Sequence, residues 1–144
     1  MFQDTPALKE VVFTACSKLW SIDEYAFDHS GLESFVAPPQ LREIGSYAFS
    51  YCEKMKEVKF NEGLETIAKY AFSHCGLTRV VTPGTLRKIG DAAFEYCGNL
   101  TRVIIGEGLD MLGAPYCQEI FQAGRLRNLL HVVLPDTLEE IRNG

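Results

Sequence analysis

The sequence predicts a β-rich solenoid, a chain wound into stacked coils with a continuous apolar column inside. Three observations predict it. Four stretches, IDEYAFDHS from Ile22, IGSYAFSYC from Ile44, IAKYAFSHC from Ile67 and IGDAAFEYC from Ile89, repeat one pattern every 22 or 23 residues. A period that short gives one coil per repeat, so each unit buries its apolar face only by stacking on its neighbours. Aligning the copies then leaves six columns of apolar residues, and proline or glycine follows the β-rich part of the repeat at Pro38, Pro83, Gly106 and Pro135.

The columns set out the coil in order. The first is Leu8, Leu32, Met55, Leu77, Leu100 and Leu129, followed three residues later by Val11, Phe35, Val58, Val80, Val103 and Val132. The segment around them, as in LTRVVTP from Leu77, is rich in β-branched residues and predicts a short strand that stacks into a parallel sheet. Proline cannot donate to such a ladder and marks where the chain turns out of it. Next come Leu19, Leu41, Leu64, Leu86, Leu109 and Leu138, then Ile22, Ile44, Ile67, Ile89, Leu112 and Ile141, in a brief extended piece. The coil closes with Ala26, Ala48, Ala71 and Ala93, each followed by a phenylalanine: Phe27, Phe49, Phe72 and Phe94. The alanine fits against the wall and the ring plugs the interior.

Cys52, Cys75 and Cys97 share one place in the repeat, which Ser30 takes in the first copy. Coils about 4.8 Å apart hold such side chains wider than the ~3.8 Å Cβ spacing of a disulfide. Stacked buried thiols are the expectation, acting as small hydrophobes. Cys16 and Cys117 fall outside the column.

The pattern L-x-x-V-x-x-P-x-x-L-x-x-I-G-x-x-A-F-x-x-C resembles the BspA-type leucine-rich repeat, from Leu8 to Ile141 in about six copies. The resemblance implies a leucine-rich repeat solenoid: a right-handed, curved coil with a short-strand parallel sheet on one side. It also implies a role in adhesion or protein binding, at cell surfaces or inside cells. The expected repeats lie near 8–31, 32–54, 55–76, 77–99, 100–128 and 129–144 of one repeat domain, 1–144. Two departures stand out. The fifth repeat carries an insertion, GAPYCQEIFQAGRLRN from Gly113, with a short helix expected from Pro115 to near Gly124 and Phe121 or Tyr116 in place of the plug. No polar cap is evident at either end, so the chain is expected to be part of a longer array or to self-associate through its outer coils.

Residues alternating with the buried ones point to the open face of the sheet. One such column is Glu10, Ser34, Glu57, Arg79, Arg102 and His131, changing from acidic to basic, and the next is Val12, Val36, Lys59, Val81, Ile104 and Val133. Arginine beside exposed aliphatics is a common interface composition. The candidate partner-binding strip is therefore Arg79, Val81, Arg102, Ile104, His131 and Val133. The same β-branched stack stabilises a parallel sheet without any partner.

Other chemistry is not signalled. His29 and His74 share a column with Tyr51 and Tyr96, which reads as an exposed or half-buried wall, and no second Cys/His pair has zinc-like spacing. Tyr25, Tyr47 and Tyr70 form a second tyrosine column. No nucleotide loop, facing carboxylate pair or nucleophile triad is found. With a net charge of -5 and no basic run longer than Arg125-Leu126-Arg127, a nucleic-acid footprint is not visible. There is no long apolar run for membrane insertion and no secretory-signal pattern at the start. The sequence thus predicts a non-enzymatic interaction module without cofactor or metal, with an architectural spacer or self-assembly unit as the alternative. An accessory domain of an enzyme ranks third.

Overall fold

The computed structural model describes residues 2–109, 111–112, 128–136 and 140–141. Coils two to six each carry two strands, and coil one carries one among the described residues. The three-residue strands are β2 (Ser34–Val36), β4 (Glu57–Lys59), β6 (Arg79–Val81), β8 (Arg102–Ile104) and β10 (His131–Val133). The two-residue strands are β1 (Ser21–Ile22), β3 (Glu43–Ile44), β5 (Thr66–Ile67), β7 (Lys88–Ile89), β9 (Met111–Leu112) and β11 (Glu140–Ile141). All pairing is parallel and in repeat register: Ile22 lies against Ile44, Ile44 against Ile67, Ile67 against Ile89, and Val80 against Val103 against Val132. The brief extended piece read from the sequence is thus a second sheet, in the order β1-β3-β5-β7.

Inside, the expected ladders are present. The rings of Phe27, Phe49, Phe72 and Phe94 stack at centroid spacings of 5.1, 5.1 and 5.5 Å, each pair within 6° of parallel. Phe49, Phe72 and Phe94 are fully buried, as are Leu41, Leu64 and Leu86. Leu19 and Val132, in the outermost coils, are partly exposed members of their columns. The thiols are buried and unpaired covalently. Each donates to the carbonyl of the phenylalanine in the preceding coil: Cys52 to Phe27 at 3.2 Å, Cys75 to Phe49 at 3.1 Å and Cys97 to Phe72 at 3.2 Å. Cysteine suits this place because a small apolar side chain also satisfies a buried carbonyl. Burial pushes the Cys52 thiol up to about 11 and the Cys97 thiol up to about 12.

On the turn side, left-handed backbone recurs at Tyr25, Tyr47, Tyr70 and Ala92, and four residues later at His29, Tyr51, His74 and Tyr96, with φ between 53° and 58°. Such a conformation is uncommon for non-glycine residues and costs on the order of 1–3 kcal/mol. It is held by bonds to the next coil, for example from the Phe49 N–H to the Ala71 carbonyl at 2.8 Å and from the Tyr51 N–H to the Ser73 carbonyl at 2.9 Å. The resulting side chains stack as two outer ladders. Tyr25, Tyr47 and Tyr70 are 4.9 Å apart, and His29, Tyr51, His74 and Tyr96 are 4.5, 4.2 and 4.1 Å apart.

The connections between coils alternate in length. One residue, Gly31 or Gly76, joins Ser30 to Leu32 and Cys75 to Leu77, whereas two residues join Cys52 to Met55 and Cys97 to Leu100. The longer connections close as turns, with the Met55 and Leu100 N–H groups each 2.9 Å from the carbonyl of Cys52 and Cys97. The shorter ones cut close beneath the preceding coil. A Cβ on Gly76 would sit 2.3 Å from the Glu53 carbonyl oxygen, and one on Gly31 would sit 2.0 Å from that of Pro6. Only glycine fits there.

Candidate interaction face

The three-residue strands place every member of the predicted strip on one surface. Register sets Arg79, Arg102 and His131 in line, with Val81, Ile104 and Val133 in the parallel line two residues on. Between these lines Val80 and Val103 point inward and are fully buried. Arg79, Arg102 and His131 are exposed, as are Val81 at 39% and Val133 at 45%, while Ile104 is half-buried. Neither Arg79 nor Arg102 has an ion-pair partner among the described residues. Neighbouring strands lie about 4.8 Å apart, so the two cationic side chains form a close-spaced row beside an aliphatic one.

The sheet carrying this strip is not continuous. β6 pairs with β8 and β8 with β10, and β2 pairs with β4, but β4 and β6 do not pair. The break follows the alternation of connection length. At the steps with a two-residue connection, the Ala37 N–H reaches the Lys59 carbonyl and the Thr82 N–H reaches the Ile104 carbonyl, both at 2.9 Å. The equivalent N–H groups at the steps with a one-residue connection, those of Phe13 and Phe60, make no hydrogen bond among the described residues. Phe13 and Phe60 turn their rings inward, edge-on to Phe35 at 6.0 Å and to Phe72 at 5.7 Å.

Between β4 and β6 the break opens into a cleft of about 640 Å³. Val58, Phe60, Val81 and Pro83 supply its apolar lining, and Lys59 and Arg79 stand among its polar groups. Lys59 Nζ lies 3.5 Å from Glu57 Oε1 on the same strand. The strip read from the sequence includes Arg79 and Val81 of this lining and leaves out Lys56, Phe60 and Pro83. The signal was the spacing from cysteine to the next leucine-type residue, which changes from Cys52–Met55 to Cys75–Leu77 at this step.

Among the described residues no group of three or more potential metal ligands comes together. The Asp28 carboxylate sits 3.0 Å from His29 Nδ1, and the His29 ring is occupied in its stack with Tyr51. No described helix is long and apolar enough to cross a membrane. The insertion from Gly113, with the expected helix, Cys117 and the two candidate plugs, lies outside the described residues apart from Asn128.

Comparison with known proteins agrees with this architecture. The pneumococcal vaccine antigen PcpA matches over 89% of this chain and 45% of its own, at 21% identity and a TM-score of 0.59. A leucine-rich cell surface protein from Faecalibacterium prausnitzii matches over 89% and 32%, at 22% identity and a TM-score of 0.72. A leucine-rich repeat protein of T. pallidum matches over 82% and 64%, at 25% identity and a TM-score of 0.56. The chain therefore spans less than two thirds of each of these structures. No curated protein shows significant sequence similarity. The model of the BspA-type leucine-rich repeat region matches residues 20–144 in six copies. With its ladders, registers and repeat count in place, the chain belongs to the BspA-type leucine-rich repeat family.

Proposed function

We propose that this chain is a non-enzymatic protein-binding module that presents the face of β6, β8 and β10 to a protein partner. The observation that carries the reading is the row of unpaired arginines, Arg79 and Arg102, beside the exposed aliphatic row of Val81 and Val133. A stacked array holds both rows rigid before contact, so little conformational entropy is lost on binding. The aliphatic row gives up water contact while each guanidinium is free to pair with a carboxylate. The cell-surface description of the Faecalibacterium neighbour supports adhesion as the form this binding takes. Affinity capture tests the reading. The unmodified chain should retain a partner that the double variant Arg79→Glu, Arg102→Glu does not, with unchanged circular dichroism. Equal capture by both rules out the strip.

A self-assembling spacer is the second reading, favoured by apolar side chains exposed on both outer coils, Val12 and Trp20 on one and Leu130 and Val132 on the other. Light scattering at rising concentration separates the two. Growth beyond the monomer supports assembly, and a constant mass leaves the binding module.

A further inference from the structure

We infer that the split between coils three and four is a seat for an acidic side chain of an extended peptide, flanked by an apolar residue. The inference rests on reading this face as the contact surface, and it adds the partner's chemistry. The split brings three features together. Its backbone is unsatisfied, because the Phe60 N–H lacks the bond that Ala37, Thr82 and Ile105 make at the same place in their coils. A donor of this kind invites an acceptor from outside. Two of its three cations are free. Lys56 and Arg79 have no ion-pair partner among the described residues, whereas Glu57 is already engaged by Lys59. Glu62 is the one other carboxylate lining the cleft, so the balance there is cationic on a molecule of net charge -5. Its walls are apolar, with Phe60, Val81 and Pro83 around the opening.

An acidic group fits this arrangement and a basic one does not. A carboxylate entering the cleft meets two cations and an unpaired amide, each a donor without an acceptor. The neighbouring residue of an extended peptide points the other way, while the next but one returns to the same face and reaches the Val81 and Pro83 wall. The net charge of -5 opposes general adhesion of an acidic peptide and favours sites where cations cluster. A strand is not inserted, since the coils remain stacked. The occupant lies across the opening.

The test uses two short fluorescein-labelled peptides, one alternating glutamate with valine and one alternating lysine with valine. Fluorescence anisotropy should show saturable binding of the first, weakened by added salt, and none of the second. Arg79→Glu and Lys56→Glu should each weaken it at least about tenfold, and the milder Arg79→Gln guards against a folding defect. Arg102→Glu, one coil away and outside the cleft lining, should weaken it less than either. In amide NMR spectra the Phe60 signal should shift on titration. Absence of binding, equal binding of the basic peptide, or equal losses in the Arg79 and Arg102 variants would each overturn the seat. If those results appear while the double arginine variant still loses its captured partner, the seat fails and the wider strip stands. If the peptide binds as expected but capture survives both charge reversals, the strip fails and the seat stands.

Discussion

Truncating Phe72 to alanine is the most direct test of the stacked interior. The ring is fully buried, with Phe49 stacked at 5.1 Å on one side, Phe94 at 5.5 Å on the other, and the Phe60 ring edge-on at 5.7 Å. A buried aromatic removes about 150–250 Å² from water. At about 25 cal/mol per Å² that contributes about 4–6 kcal/mol, of which alanine keeps a small part. Measured truncations of this kind cost about 3–5 kcal/mol. Three ring contacts are lost at once and the coils above and below are held by their own hydrogen bonds, which limits collapse into the cavity. The expected loss is therefore about 4 kcal/mol. Urea unfolding followed by far-ultraviolet circular dichroism reads it as a midpoint lowered by about 2 M, for a slope near 2 kcal/mol per M. Phe2→Ala is the control, because Phe2 stacks on Phe27 at 5.4 Å yet is half-exposed. A Phe72→Ala loss no larger than that of Phe2→Ala would refute the ladder.

Three further outcomes follow from the same geometry. Gly76→Ala should destabilise by about 1–3 kcal/mol through its clash with the Glu53 carbonyl, while Gly98→Ala, with open space around the added Cβ, should be neutral or mildly stabilising in thermal melts. The buried thiols give a pH dependence. Their folded values, about 11 for Cys52 and about 12 for Cys97, lie above the unfolded 9.0, so their stabilising contribution is complete below pH 9 and is lost as pH rises toward those values. Denaturation midpoints should fall above pH 9, less steeply in a Cys97→Ala variant, and at neutral pH a thiol reagent should modify Cys16 while sparing Cys52, Cys75 and Cys97 until unfolding. Hydrogen exchange should find the Phe13 and Phe60 amides fast beside the slow amides of Ala37, Thr82 and Ile105.

Much of the fold was legible because a solenoid writes its contacts into the sequence as columns. Ile22, Ile44 and Ile67 align in the chain and pair in the sheet for one reason, the constant path length of a coil. The thiol ladder was legible for the same reason. The second sheet was not, because a strand of two residues has no alternation to show. The left-handed backbone at Tyr47 and Tyr51 was hidden by residue type, since tyrosine does not announce that conformation as glycine would. The column of His29, Tyr51, His74 and Tyr96 read as a wall, and the close ring stacking within it emerged only in three dimensions. At the candidate face, alternation along a short strand sufficed to find Arg79, Val81, Arg102 and Ile104. The cleft beside them arises from a one-residue difference between connections, visible in the sequence as a change of spacing but meaningful only through the hydrogen bond it removes.

The binding account is tested most directly by amide hydrogen exchange of the chain alone and with the partner retained in affinity capture. Slowed exchange at residues 79–81, 102–104 and 131–133, together with the Phe60 amide, is the result expected. Protection confined to the opposite wall, around Tyr25, Tyr47, Tyr51 and Tyr70, would contradict it.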